Sequence, residues 1–364
     1  MPTNHRKMKI VRGISEHGKN VSKAVDEILK SFPFVKKFAE EVREEKRKVL
    51  NDLDYWIDKA MKNLEEKNAY VYLAKKGEEA NKVVGEIVGT NKLVVKAKSS
   101  VSDELSLRDF LEKNGNEVWE TDLGELIVQL AEEKPMHIVA PAIHFSEEEA
   151  KRILGKIGIR GNSPEELTYA VRSFMRNKFL EADIGISGCN AFSVESSSIF
   201  LVENEGNIRL VSSLPKKYIA IVSLEKILPK DELCLKSILV QSAFAGVFPP
   251  AYININKPNK YQEFHVIFLD NGRTSDERFR EVLLCVKCGR CQLECPIFQL
   301  FGVNWGGVYG GPMGRILSYL ITRRAESDIF LCTSCKKCDY VCPMGIELSK
   351  MVRRIKMDVK RSWS

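Results

Sequence analysis

No apolar run in this 364-residue chain reaches the ~18 residues that a membrane-crossing helix requires, so no transmembrane segment is expected. The first ten residues are polar and basic with no apolar h-region, which argues against a secretory leader. A dinucleotide fingerprint is missing as well. Gly155, Gly158 and Gly161 stand three apart, but they close a helix instead of linking strand to helix, and no G-x-G occurs there. Gly310-Gly311-Pro312-Met313-Gly314 lacks the preceding strand and the Gly-Lys-Ser/Thr ending of a phosphate loop, so a turn entering a helix is expected. An intrinsic NAD or FAD site is therefore unsupported. With no aromatic-interleaved basic patch or nucleic-acid motif, nucleic acid is not an expected partner.

Cysteine is present in quantity and in order. Eight of the ten cysteines fall in two copies of one pattern. Cys285, Cys288, Cys291 and Cys295, followed by Pro296, read C-x2-C-x2-C-x3-C-P, and Cys332, Cys335, Cys338, Cys342 and Pro343 repeat it. This is the ligand signature of a protein with two [4Fe–4S] clusters. A cuboidal cluster takes four thiolates arriving from several directions, three from one tight loop and the fourth from elsewhere in the chain. The cysteine before each proline crosses to the other cluster. Cluster I is thus expected on Cys285, Cys288, Cys291 and Cys342, and cluster II on Cys332, Cys335, Cys338 and Cys295. Ligand reach would leave the two about a dozen Å apart.

Other readings of the cysteines fit less well. Zinc would need two C-x2-C pairs, not three thiols and a C-P. A disulfide framework belongs to small secreted domains, whereas thiols in cluster spacing without an export signal point to the reducing cytoplasm. Cys189 and Cys234, outside both runs, read as small buried hydrophobes.

The charge is unevenly placed. Of a net +7, the segment from Ser275 onward holds +6, with 15 Lys and Arg against 9 Asp and Glu. Lys287, Arg290, Lys336 and Lys337 lie inside the cysteine runs, where positive charge favours reduced clusters and steers acidic redox partners. A solvated basic face explains them equally well.

The chain's length allows more than one domain. Residues 19–67 keep apolar faces at helical spacing, broken by Pro33, and make residues 1–67 an N-terminal helical arm. From residue 68, apolar runs at 70–74, 93–96, 117–119 and 138–141 alternate with helical patterns at 78–88, 103–113 and 123–133. That alternation predicts an α/β domain with a parallel sheet. Helices at 147–156 and 164–180 follow, the second opened by Ser163-Pro164. Strands are expected at 184–187, 198–202, 208–211, 218–223, 252–255 and 265–269, around a helix at 231–242. The turn Asp270-Asn271-Gly272 closes this domain, residues 68–272. Residues 273–364 open with a helix at 276–284. Between Cys295 and Cys332 lie 36 residues with a helix at 313–324, an insert that predicts an α-helical ferredoxin. A last helix is expected at 347–360.

From about Val94 to its end the chain resembles the lactate-utilisation protein B family, a LUD domain fused to a two-cluster ferredoxin. The resemblance is carried by Val94-Val95-Lys96-Ala97-Lys98-Ser99 and by Glu120-Thr121-Asp122-Leu123-Gly124-Glu125 with Gln129-Leu130. His137-Ile138-Val139, Pro141-Ala142-Ile143-His144 and Gly185-Ile186-Ser187-Gly188-Cys189-Asn190 continue it. Asn204-Glu205-Gly206-Asn207, Ser213-Leu214-Pro215, Glu225-Lys226-Ile227-Leu228-Pro229 and Asp270-Asn271-Gly272-Arg273 complete it before the cysteine runs. The resemblance implies a sugar-isomerase and CoA-transferase-like parallel sheet. It also implies two partner subunits, a lone LUD protein and one rich in cysteine pairs, that together oxidise L-lactate to pyruvate. One departure bears on the pocket. Where the family has Ala-Glu-Thr-Gly, this chain reads Val194-Glu195-Ser196-Ser197 and loses a glycine's backbone freedom.

Within the α/β domain, Glu195 and His144 are the ligand-binding candidates, being polar residues at expected strand ends. Lys96 and Lys98 suit a carboxylate or a solvated strand end. Asp122 and Glu125 open a helix, where capping is the simpler role. No catalytic residue can be named. The leading expectation is an iron–sulfur electron-transfer subunit of a cytoplasmic 2-hydroxy-acid oxidation complex, not catalytic alone, with its electron acceptor unspecified. The alternatives are an electron-transfer subunit of another redox complex, heterodisulfide-reductase-like, and a redox-sensing ligand-binding protein.

Overall fold

Six parallel strands form the centre of the fold, in the order β1-β10-β7-β4-β2-β3. They are β1 (Tyr70–Ala74), β2 (Leu93–Lys96), β3 (Glu117–Glu120), β4 (Ile184–Ser187), β7 (Lys217–Ser223) and β10 (Glu263–Leu269). The computed structural model describes residues 4–325 and 327–363. In β7, Tyr218, Ala220 and Val222 face one layer while Ile219 and Ile221 face the other. Burial on both faces is what a parallel sheet demands, because helices must cover each side. Helix α3 (Leu53–Glu65) covers the first face through Leu53, Ile57, Ala60 and Leu64, and α4 (Gly77–Val88) covers the second through Ala80, Val84 and Val88. A smaller sheet, β8-β5-β6-β9, adds β5 (Ala191–Ser193), β6 (Ser198–Glu203), β8 (Ile227–Leu228) and β9 (Tyr252–Asn256).

The helical arm is longer and more central than its sequence pattern indicates. Helix α1 spans Asn4–Ser31 and α2 Phe34–Asn51, with the break falling at Pro33. Residues 1–3 of the expected arm lie outside the described residues. The arm starts well before residue 19 because Ile14 is buried against Cys295, Ile297, Phe298 and Trp305. Val21, Val25, Val35, Ala39 and Val42 share one core with Val240, Ala243 and Phe244 of α11 (Asp231–Phe244) and with the cysteine-bearing segment. The arm therefore binds the α/β layer to the C-terminal layer.

Two expected strands are not strands. Residues 138–141 form bends and a turn: Met136 N–H reaches Pro141 O at 2.9 Å, and the His137 ring accepts the N–H groups of Val139 and Ala140. A side chain has taken donors that a sheet ladder would need. Residues 208–211 lie inside helix α10 (Asn207–Ser213), where Arg209 N–H donates to Glu203 at 3.0 Å. Ile208 and Val211 stand three apart, a helical spacing that their β-branched character masks. The helix expected at 103–113 is broken at Ser106, which is left-handed with φ +47, into α5 (Ser100–Glu104) and α6 (Leu107–Lys113). The 276–284 segment winds as a 3-10 turn over Glu277–Leu284. Strands β5 and β8 had no signal strong enough to separate them from loop.

The carboxyl ends of β2, β4 and β7 face the cysteine-bearing segment. There Arg273, fully buried, binds Glu104 at 2.7 and 2.9 Å and Glu225 at 2.9 Å. Its Nη2 also donates to the Tyr309 hydroxyl at 3.1 Å, while that hydroxyl donates to Glu104 at 2.5 Å. Glu104 belongs to α5, Glu225 follows β7, and Tyr309 lies between the cysteine runs, so one guanidinium ties three segments. Arg273→Leu would leave the buried Glu104 carboxylate without its cation and Glu225 with Lys287 alone, and should lower unfolding free energy by about 3–5 kcal/mol. Urea titration of the full chain by circular dichroism reads this loss. An Arg273→Leu midpoint equal to wild type would mean water replaces the guanidinium at no cost.

Candidate functional site

The eight motif cysteines line two small cavities in the C-terminal layer. The inner one is walled by Cys285, Cys288, Cys291 and Cys342 with Met313 and Met344. The outer one is walled by Cys295, Cys332, Cys335 and Cys338 with Pro312 and Ser349. Each cavity thus gathers three cysteines of one run and the pre-proline cysteine of the other. The crossing follows from two short helices, α12 (Arg290–Leu293) and α13 (Pro296–Phe301), which turn Cys295 away from its own loop. A third, α14 (Gly311–Thr322), packs against α12, and α15 (Lys337–Tyr340) and α16 (Leu348–Trp363) complete the layer.

Both loops share a backbone device. Lys287 and Gly289 have positive φ (+62 and +78), and so do Ser334 and Lys336 (+57 and +62) at the matching places of the second run. Left-handed residues alternating with right-handed ones turn N–H groups into a concavity that suits an anionic cluster. Lys287 N–H already reaches Cys285 Sγ at 3.3 Å, and Ile346 N–H reaches Cys342 Sγ at 3.5 Å. Burial pushes the Cys295 and Cys342 thiols up to about 11, so cluster assembly must displace their protons. Among the described residues no three His, Cys, Asp or Glu converge on a single metal ion. A cuboidal cluster bonds each thiolate to a different iron and accepts the wider spread seen here. The donor set fits two [4Fe–4S] clusters.

The cavities differ in access. Cys335 is exposed, as are Lys336 and Lys337 beside it, whereas no inner cysteine is exposed. Lys287 and Arg290 do not belong to an exposed basic face. Lys287 Nζ lies 4.1 Å from the Tyr309 ring centroid and 3.4 Å from Glu225, and Arg290 is buried at 3.1 Å from Glu294. Their ion pairs spend the charge inside the protein, leaving Lys336 and Lys337 as the exposed pair.

Against the inner loop lies a cleft of about 310 Å³. Its floor is the carboxyl edge of the sheet: Lys98 and Ser99 after β2, Gly188 to Asn190 after β4, Ser223 at the end of β7 and Lys226 after it. Gln241 of α11 adds a side wall, and Lys287 and Tyr309 close it from the cysteine-bearing layer. This is where open α/β sheets place ligands. Lys98 pairs with Asp122 at 3.3 Å. Lys226 is 7% exposed; burial, aided by Lys287 and opposed by Glu225, pulls its ammonium below the usual lysine range.

The two ligand-binding candidates from the sequence stand elsewhere. Glu195 is exposed in the β5–β6 turn and accepts the Asp231 N–H at 3.2 Å, at the start of α11. His144 sits in a turn, not at a strand end, with Nε2 3.2 Å from Glu133. Neither lines the cleft. The family's missing glycine also falls away from it: Ser197 holds the left-handed backbone at φ +56, its hydroxyl accepting from Lys67 at 3.1 Å. Lys96 is fully buried between Glu120 at 2.9 Å and Asp103 at 3.5 Å, and so unavailable to a ligand. Asp122 caps α7 (Leu123–Ala131) by accepting the Glu125 N–H. Of the two cysteines outside the runs, Cys234 is buried in a hydrophobic cluster, whereas Cys189 lines the cleft, its thiol pushed up to about 12 by burial. Lys287 was singled out only as a charge in the cysteine run, and Glu225, Lys226 and Arg273 only as parts of the family resemblance; none was expected at the cleft or in the network behind it. A signal for Glu225 and Lys226 was charge set within an otherwise apolar segment, Leu224-Glu225-Lys226-Ile227.

Residues 57–269 match the LUD domain and residues 281–346 the 4Fe-4S dicluster domain. Lactate utilization protein B of Shouchella clausii is 36% identical over 351 residues, 89% of this chain and 72% of that protein. The chain belongs to the lactate utilization protein B family. Its counterpart in Bacillus licheniformis is 39% identical over 78% of this chain, which spans 62% of that protein's length. An electron transport protein of Escherichia coli, YkgF, is 34% identical over 84% of this chain and 68% of its own. A DUF162 family protein from Deinococcus radiodurans superposes on 60% of this chain and 97% of its own, with a TM-score of 0.35 and 10% identity. The protein is thus an iron–sulfur protein related to lactate utilisation, and among its described residues no helix is long and apolar enough to cross a membrane.

His137 joins the α/β layer to the inner loop. Its Nδ1 accepts from Val139 and Ala140, leaving Nε2 to donate toward Gly289 O at 3.4 Å. Gly289 has no room for a side chain, since a Cβ there would stand 2.7 Å from His137 Nε2. Burial holds the ring neutral, its pKa pushed down to about 3 from 6.5. Between those values the unfolded chain binds a proton that the folded chain refuses, so stability falls as pH drops through this window. The slope due to His137 is about 1.4 kcal/mol per pH unit. Urea midpoints at pH 7 and 5.5 should diverge in wild type and less so in His137→Gln; equal divergence in both would place the acid sensitivity in other groups.

Proposed function

We propose that this chain is the iron–sulfur electron-transfer subunit of an L-lactate, or 2-hydroxy-acid, oxidation complex, acting with a lone-LUD subunit and a cysteine-pair subunit. The supporting observation is continuity. The sheet-edge cleft shares Lys287 with the inner cysteine loop, and the outer cavity brings Cys335 to the surface. Cys285, Cys288, Cys291 and Cys342 hold the inner cluster; Cys332, Cys335, Cys338 and Cys295 hold the outer. Two such clusters supply single-electron storage and transfer. The protein's own residues do the rest. The paired loops aim N–H groups at the thiolates, and Lys287, paired with Glu225, bridges the cleft and the inner loop. Lys336 and Lys337 offer an exposed positive face to an acidic partner. No flavin or nicotinamide fingerprint is present to accept a hydride, so that step falls to a partner subunit.

Two experiments test this. Anaerobically purified protein should carry about eight irons, and Cys342→Ser should remove about four of them. The loss should appear in the inner cluster of the first cysteine run, although Cys342 belongs to the second. Loss confined to the cluster of Cys332, Cys335 and Cys338 would show local ligation instead. The isolated subunit should fail to oxidise L-lactate with an artificial acceptor, whereas the three-subunit complex should succeed. Robust oxidation by the isolated subunit would overturn the division of labour. A complete complex inert to lactate would point to a different redox assembly.

A further inference from the structure

The cleft is lined by three lysines, and two of them are already neutralised. Lys98 is paired with Asp122, and Lys287 with Glu225 while lying over the Tyr309 ring. Lys226 differs: it is 7% exposed, lines the cleft, and makes no hydrogen bond or ion pair among the described residues. An ammonium that deep with no partner is costly unless something fills the space before it. Ser223, the last residue of β7, three before Lys226 and 4% exposed, likewise has no hydrogen-bond partner for its hydroxyl among the described residues. A free cation and a free hydroxyl on one wall form a recognition pair for a carboxylate and the oxygen beside it.

The rest of the lining limits the ligand's charge. Asp122, Glu203 and Glu205 also line the cleft. Asp122 is already matched by Lys98 and Glu203 by Arg209, so Glu205 remains beside one unmatched lysine, a balance that disfavours a phosphate dianion or a nucleotide and admits a single negative charge. The volume of about 310 Å³ lies at the lower end of small-ligand pockets and leaves room for a short acid with water.

We propose that Lys226 anchors the carboxylate of a small 2-hydroxy or 2-oxo acid, held in the cleft against the loop between Cys285 and Cys288, with Ser223 bonding the neighbouring oxygen. The proposal rests on the electron-transfer role above and adds where the acid sits. Lys226 is near enough to Cys285 for each to sense the other's charge. Placing an anion on Lys226 therefore changes the field at the inner thiolates. The subunit would register whether acid is present before any partner turns it over.

The test uses full-length protein with both clusters assembled, handled anaerobically. Pyruvate and L-lactate are titrated by calorimetry, with inorganic phosphate for comparison, and the dithionite-reduced clusters are followed by electron paramagnetic resonance. Pyruvate should bind more tightly than phosphate and alter the signal of the inner cluster. Lys226→Met should weaken pyruvate binding about ten- to hundredfold, the loss of a charge-assisted hydrogen bond, with Lys226→Arg recovering part of it. If Lys226→Met does not retain its iron, Ser223→Ala serves instead and should weaken binding severalfold. Absence of binding by either acid, unchanged binding in the variants, or phosphate binding as tightly as pyruvate would each overturn the assignment. A complex that oxidises L-lactate while this subunit binds neither acid removes the anchor and leaves electron transfer standing. Binding of pyruvate through Lys226 in a complex inert to lactate keeps the anchor and removes lactate as the substrate.

Discussion

The guanidinium of Arg273 is the contact on which the joining of the layers depends. It is the first residue after the turn that leaves the sheet, and it is fully buried between Glu104 and Glu225. Arginine suits the place because its fixed fork meets Glu104 with two N–H groups and keeps a third for Glu225. The arrangement also passes charge onward. Glu225, held well below the usual carboxylate range despite its burial by Arg273 and then Lys287, is the partner that seats Lys287 over Tyr309. Its backbone carbonyl accepts from Lys46 of α2 at 2.6 Å. Arm, sheet edge and cysteine loop are therefore set relative to one another by one buried polar network. Apolar packing supplies the bulk of the cohesion, but it has no direction; the network fixes the geometry.

That geometry places a ligand-sized cleft and a cysteine cavity on opposite sides of one loop. Lys287 serves both, facing the cleft with its side chain while its N–H meets Cys285 Sγ. A second seam runs through His137, whose loop closes one end of the cleft and whose ring abuts Gly289. Long helix α1 is joined to the same layer through Ile14, which packs with Cys295. The result is a protein with a buried inner cavity next to the cleft and an outer one open at Cys335.

Much of this was legible in the chain. The repeated cysteine pattern, the alternation of apolar runs with helical periods and the breaks at Pro33 and Asp270-Asn271-Gly272 all stem from local rules: ligand reach, side-chain period and backbone freedom. Where the reading failed, a distant or lateral contact won. His137 took the N–H groups of 139 and 140, Gly206 and Glu203 opened a helix where β-branched residues suggested a strand, and Ile14 extended the arm by packing on a segment nearly three hundred residues away.

The sequence by itself determined that the C-terminal segment carries the donor set for two clusters, because eight thiols in two copies of one spacing serve little else. It also determined the parallel sheet, since strand and helix periods alternate along the chain. Only the tertiary structure decided which polar residues line the cleft. Glu195 and His144 looked suitable from their places in the chain and fold away from it, whereas Lys226, part of the stretch Glu225-Lys226-Ile227 but given no role by it, lines the cleft. The physical reason is that a lysine's role depends on whether a carboxylate stands within about 4 Å of it, and those neighbours come from segments remote in sequence. Lys96, Lys98 and Lys287 found such partners in the fold; among the described residues Lys226 did not.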